Sequence, residues 1–135
     1  MILFNPDRIA FEALQKIKDA EPHATRNAAL SLAHHLRAHG LSATVGYGMA
    51  NDDKKSKAVK AVAQAFVDAL DTACPLGGAD ITAKAQSLKT EATATYLLHS
   101  RLALPLADGF ALAAKAFWPT EDSTPKHTEQ ETAHG

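Results

Sequence analysis

Three histidines lie close together in the sequence, at positions 34, 35 and 39. His35 and His39 are four residues apart, so a helix places both imidazoles on one face, as a zinc site requires. No nearby Glu or Cys completes the ligand set. A solvated helix end, where the helix dipole favours protonated histidine, accounts for the same spacing. The sequence therefore predicts no metal site and no cofactor.

Patterns typical of catalytic sites are weak. The chain has no G-x-S-x-G nucleophile elbow, and Gly46-Tyr47-Gly48 is not followed by the Lys-Ser/Thr of a phosphate loop. Gly77-Gly78 lies between predicted helices without a preceding strand, which disfavours a nucleotide site. We therefore expect a protein without enzymatic activity. The alternative is a helical enzyme of unrecognised type that uses histidines as acid and base groups.

Clustered cations are the more informative candidates. Four lysines fall within one or two helical turns, and Arg26 and Arg37 are eleven residues apart, about three turns, so they share a face. Such side chains can follow a phosphate backbone without reading bases. For the lysines alone, an ordinary solvated helix start is at least as good an explanation. The four lysines are Lys54, Lys55, Lys57 and Lys60.

Composition favours a single helical domain that positions these residues. The 135 residues include 28 alanines, the best helix former, and only eight aromatic side chains. We expect an all-α, compact bundle of about five to six helices over residues 1–118. Residues 119–135 carry a net charge of −3 and almost no apolar residue, which predicts a disordered acidic tail.

Charge, cysteine content and hydropathy exclude several further classes of protein. Residues 1–118 carry a net charge of +2, far below that of domains that bind nucleic acid alone. The single Cys74 excludes an intramolecular disulfide and a zinc–cysteine cage. Charged residues within the first twenty positions predict no signal peptide, and no window is apolar enough for a membrane span. We therefore expect a cytoplasmic protein without membrane contact.

The helix signals fall at regular intervals. Asn5-Pro6 predicts the start of the first helix, and Gly40 a left-handed cap after a second helix over about 24–39. We expect residues 41–50 to be helical, with Gly46 and Gly48 allowing another backbone to approach. The fourth helix spans about 53–73, and Asp80 or Thr82 caps a fifth.

The last helical region is predicted in two pieces. One segment covers about 90–99, and a closing helix starts with Ser100 as its cap, because Pro105 is acceptable only near a first turn or at a kink. The helical spacing of apolar residues predicts a core that contains Phe66, Leu70, Phe110 and Phe117.

Part of the chain resembles a known family. The segment Arg26–Gly48 runs through His34-His35-Leu36-Arg37-Ala38-His39 into Gly40-Leu41 and a small-residue helix. This arrangement resembles the small-subunit family of type III-B CRISPR–Cas effectors, the Cmr complexes. The second half agrees in shape, from Tyr96-Leu97-Leu98 to a closing helix that ends at Phe117-Trp118. The resemblance covers roughly residues 5–118.

The resemblance implies a non-catalytic subunit that stacks with copies of itself along a ribonucleoprotein filament. Such a subunit supports the duplex of guide RNA and target RNA through basic residues, and contacts the large subunit and the backbone subunits. The resemblance therefore makes these the candidate RNA-binding residues: Arg26, Arg37, Lys54, Lys55, Lys57, Lys60 and Arg101. Base pairing reads the sequence in RNA-guided effectors, while the protein contacts backbone. The alternative function is a small helical adaptor or regulatory protein that binds only protein partners, which the near-neutral charge and the acidic tail favour.

Overall fold

The computed structural model describes residues 4–50 and 57–119. These residues form helices and no strand, which confirms the predicted all-α class. Residues 120–135 of the predicted acidic tail lie outside the described residues. The helices are α1 (Pro6–Gln15), α2 (Pro22–His39), α3 (Leu41–Met49), α4 (Lys57–Ala73), α5 (Ile81–Ser87) and α6 (Thr93–Phe117).

Side-chain caps begin three of the helices. Asn5 caps α1 as predicted, since its side-chain oxygen accepts a hydrogen bond from the Arg8 amide at 3.1 Å. Glu21 caps α2 through the amides of His23 and Ala24, so this helix starts two residues earlier than expected. Asp80, rather than Thr82, caps α5 by accepting from the Ala83 amide at 2.8 Å.

The core lies between α1, α2, α4 and α6. Phe66 of α4 and Phe110 of α6 are fully buried and meet edge to face, with ring centroids 5.6 Å apart. Leu70 is also fully buried, as predicted. Phe117 is only half-buried, because its ring lies at the edge of the core against Phe11, with centroids 4.7 Å apart. Within the described residues, no helix is both long and apolar enough to cross a bilayer.

The last helical region differs from the prediction. A single helix, α6, runs from Thr93 to Phe117, so Ser100 lies in its interior and does not cap a new helix. Pro105 lies in the middle, where it removes one backbone hydrogen bond at a cost of about 3 kcal/mol. Buried His99 and Ala103 before it, and Leu106 and Phe110 after it, pack on the same core. This shared packing offsets the cost and keeps the helix continuous.

Two polar links hold the first turns of α6 in place. The buried His99 ring lies between the Glu91 carboxylate at 2.8 Å and the Cys74 carbonyl at 2.9 Å. The Tyr96 hydroxyl accepts a hydrogen bond from the Ser42 amide at 2.9 Å. Because that amide belongs to the first turn of α3, where it has no partner within its own helix, Tyr96 supplies the cap that α3 lacks.

The glycines around α3 have different roles. Gly40 joins α2 to α3 with φ of 86° and ψ of 172°, so its φ is positive as predicted but it is not in the left-handed helical region. At Gly48 an added Cβ would lie 2.5 Å from the Ala63 Cβ, so the predicted close approach is confirmed. At Gly46 an added Cβ would meet nothing within 4 Å, so the prediction for this residue is wrong.

Candidate nucleic-acid interface

Arg26 and Arg37 project from the same side of α2. Eleven residues at 1.5 Å each separate their backbones by about 16 Å along the helix. Arg37 is exposed and its guanidinium lies 3.6 Å from the Asp108 carboxylate of α6. Arg26 is half-buried, and its Nε atom is buried with no hydrogen-bond partner in the described structure. The predicted arginine face therefore holds one exposed and one partly enclosed guanidinium.

The α6 helix adds further cations to this side. Arg101, Asp108 and Lys115 follow one another at seven-residue intervals, nearly two helical turns, so they share a face and all are exposed. Since Asp108 lies beside Arg37, and the Trp118 ring nitrogen donates to the Lys18 carbonyl just before α2, the two helices are antiparallel.

We call this surface the arginine seam and define it by the following residues. They are Arg26 and Arg37 of α2, and Arg101, Asp108 and Lys115 of α6. Four cations with one carboxylate give the seam a net charge of +3, although the whole chain is near neutral. Such a surface suits a polyanion that lies along the two helices.

The structure describes two of the four predicted lysines. Lys54 and Lys55 lie outside the described residues. Lys57 is the first residue of α4 and is exposed, whereas Lys60 is half-buried. Lys60 lines a groove of about 300 Å³ between α3, α4 and α5, together with Lys89, Gln86 and five other residues. We call it the lysine groove; the arginine seam belongs to a different pair of helices.

A second groove, of about 390 Å³, lies between α2, α3 and α4. Its floor is largely apolar and contains Leu32, Gly48 and Val62, so we call it the apolar groove. Thr44 also lines it, and the Thr44 hydroxyl is buried without a hydrogen-bond partner in the part of the chain that the structure describes. The small residues of α3 leave this space open.

Aromatic rings surround His35 at the rim of the apolar groove. The centroid of its ring lies 5.9 Å from that of His34, 6.1 Å from that of His39 and 6.3 Å from that of Tyr47. His35 and His39 therefore do share a face. No group of three or more His, Cys, Asp or Glu residues in the described ranges is placed to hold a metal ion.

Away from the arginine seam, one ion pair shifts the pKa values of both of its members. The Lys84 ammonium lies 2.8 Å from the Asp71 carboxylate, and this hydrogen bond, with a second from the Leu76 amide, lowers the pKa of Asp71 below its usual 3.8. The same hydrogen bond raises the pKa of Lys84. This pair links α4 to α5, so Lys84 contributes to the fold rather than to a free cationic surface.

Sequence reasoning missed Lys115, Lys89 and Tyr47. Lys115 is fourteen residues after Arg101, which places it on the same helical face, but the signal is visible only when 93–117 is one helix. Lys89 and Tyr47 line grooves that several helices form together. The spacing of residues along the sequence does not predict such a groove.

Comparisons with protein-family models, with curated proteins and with solved structures give no match to this chain.

Proposed function

We propose that this chain is a non-catalytic small subunit of a type III CRISPR RNA-guided ribonucleoprotein in the cytoplasm. It stacks along the filament and supports the guide–target RNA duplex through basic residues. Its protein partners are further copies of itself, the large subunit and the backbone subunits.

The arginine seam is the observation that carries this proposal. Arg37, Arg101 and Lys115 are exposed on two antiparallel helices, and the Arg37 guanidinium lies 3.6 Å from the Asp108 carboxylate. Side chains that extend from parallel helix axes can meet successive phosphates of a duplex without reading its sequence. RNA-guided effectors need such contacts, because base pairing supplies their specificity.

The connection between α2 and α3 also supports the proposal. The resemblance rests on the segment Arg26–Gly48, in which a helix passes through one glycine into a small-residue helix. In the structure α2 ends at His39, α3 begins at Leu41, and Gly40 is the single residue between them. The exposed Gly40 and the small residues of α3 leave room for another molecule to approach closely.

The small net charge agrees with a subunit that acts within an assembly. Four cations release few counterions, so the isolated chain should bind RNA weakly. For single strands we expect a log–log salt slope of roughly −2 to −3, at about −0.7 for each neutralised phosphate. Repetition along a filament raises the total affinity without any new contact.

Exposed leucines favour a second candidate function, an adaptor that binds only protein. Leu97 and Leu98 on the first turns of α6 are 54% and 48% exposed, and Leu112 is 58% exposed. Apolar side chains in solvent are typical of protein-binding surfaces when they are grouped. An effector subunit also needs such surfaces for its neighbours, so the leucines separate the two functions only together with an RNA measurement.

Co-purification separates the two candidates. The tagged full chain is isolated from its native cells at low ionic strength, and bound nucleic acid is extracted and sized. We expect RNA of discrete length together with larger protein subunits. Stable protein partners without RNA would contradict the proposed function and support the adaptor.

A further inference from the structure

The surface around α3 combines two grooves with one exposed aromatic side chain, and it is separate from the arginine seam. The helix forms a ridge between the apolar groove on its α2 side and the lysine groove on its α5 side. Ser42, Ala43 and Gly46 along it are small, so the ridge is low. Tyr47 is the large side chain that stands out from it, with 65% of its surface exposed.

The rings at the apolar groove offer a stacking surface. Tyr47 and the histidines around His35 have centroid separations of about 6 Å, within the range of interacting aromatic pairs. Stacking on a ring does not depend on which base is present, because every base has a π-face. An aliphatic partner would gain less from these rings than a flat aromatic one.

Charge on the α5 side of the ridge favours an anionic ligand. Two lysines, Lys60 and Lys89, line the lysine groove. Aromatic rings next to cations are the usual construction of a site for single-stranded nucleic acid, in which bases stack and phosphates meet lysines.

We infer that α3 is a platform for an unpaired base of single-stranded RNA, which stacks on Tyr47 and His35 while Lys60 and Lys89 bind the flanking phosphates. The inference rests on the proposed function in taking RNA as the ligand. It adds a contact with bases, which the arginine seam does not make. The base lies over the apolar groove, whose floor of Leu32 and Val62 excludes water from its lower edge.

The test compares a short single-stranded RNA with an abasic ribose–phosphate strand of the same length, using the full chain at low ionic strength. Stacking of one base strengthens binding by at least about fivefold, so the RNA should bind more tightly by that factor. A 2-aminopurine in the RNA should lose fluorescence on binding, since stacking quenches it. Both effects should disappear in Tyr47→Ala and persist in Tyr47→Phe, which keeps the ring.

The outcomes separate this inference from the proposed function. Equal affinity for the two strands, or unchanged quenching in Tyr47→Ala, overturns the platform and leaves phosphate contact at the arginine seam intact. Failure of both strands to bind contradicts both ideas. Because Tyr47 is mostly exposed, its truncation should leave the melting temperature unchanged, and circular dichroism verifies that each variant is folded. Capture of a protein by wild type but not by Tyr47→Ala, without any RNA preference, makes α3 a protein-docking surface and overturns the inference.

Discussion

The contact between α4 and α6 and the surroundings of α3 are built in opposite ways. Phe66, Leu70 and Phe110 fill the first region and have no exposed surface. In the second, Gly48 meets Ala63 so closely that no side chain fits between them, while grooves of about 390 and 300 Å³ remain on either side. Large side chains therefore fill one region, and small ones leave open grooves in the other.

This difference indicates where substitutions should affect folding and where they should affect binding. Burial of large apolar side chains dominates the stability of a small domain, so the α4–α6 contact should tolerate truncation poorly. The exposed side chains at α3 and along the arginine seam should be replaceable with little loss of fold.

The largest expected effect is that of Phe66→Ala. Removal of a fully buried ring should lower the free energy of unfolding by about 3–5 kcal/mol, measured by urea denaturation. Leu112→Ala is the matched control, since that side chain is 58% exposed, and should change stability by less than about 0.5 kcal/mol. A loss below about 1 kcal/mol for Phe66→Ala would mean that this contact is not the stabilising region.

The next largest effect on stability should come from the buried pair of Glu91 and His99 at the start of α6. Both ring nitrogens of the fully buried His99 lie against polar partners, the Glu91 carboxylate at 2.8 Å and the Cys74 carbonyl at 2.9 Å. Glu91→Ala removes one of these partners from a buried polar ring and should cost about 1–3 kcal/mol. Glu91→Gln keeps an acceptor oxygen and should cost less; equal losses for the two variants would show that this hydrogen bond does not stabilise the start of α6.

The two glycines Gly46 and Gly48 of α3 should respond in opposite directions to substitution by alanine. Gly48→Ala places a methyl 2.5 Å from the Ala63 Cβ, so one helix must shift, at a cost of about 1–3 kcal/mol. Gly46→Ala meets nothing within 4 Å and should stabilise the helix by about 0.5–1 kcal/mol. Thermal unfolding measures both, and a shared sign would contradict the close approach at Gly48.

The smallest effect concerns pH and the Asp71–Lys84 pair. The pKa of Asp71 is lower in the folded chain than its ordinary 3.8, so the pair stabilises the fold above that value and loses its effect as the pH falls through the folded pKa. The pKa of Lys84 is raised, so the contribution is lost again at a pH above 10.5.

Asp71→Asn should therefore be less stable than wild type near neutral pH and approach it in acid. Asp68→Asn, which removes the more exposed pair with Lys16, is the control and should have a smaller effect. A stability difference for Asp71→Asn that stays constant down to strongly acidic pH would contradict the role of this carboxylate.

Much of the fold follows from local signals in the sequence. Asn5, Gly40 and Asp80 mark helix ends because cap and turn chemistry involves only neighbouring residues. The prediction of two helices around Pro105 was wrong, because burial of side chains on both sides of the proline offsets its local cost. Gly46 and Gly48 look alike in sequence, and only the position of α4 distinguishes them.

The candidate site was predictable only in part. The spacing of Arg26 and Arg37 on one helix placed them on a common face, but their neighbours on α6 depend on how two distant helices pack. Lys60 was predicted beside Lys57 on a solvated helix start, whereas it is half-buried at a groove with Lys89. Grooves between helices depend on tertiary packing, which periodicity does not describe.

The most direct test of the central claim reverses two exposed charges of the arginine seam. Arg37→Glu with Arg101→Glu is compared with Arg8→Glu with Lys18→Glu, two exposed cations on and just after α1. Affinity for a short single-stranded RNA is measured across a salt series. We expect the seam variant to bind more weakly with a salt slope shallower by about 1.4, at about 0.7 per lost phosphate contact, while the control keeps the wild-type slope. Equal slopes for wild type and both variants would contradict RNA contact at the arginine seam.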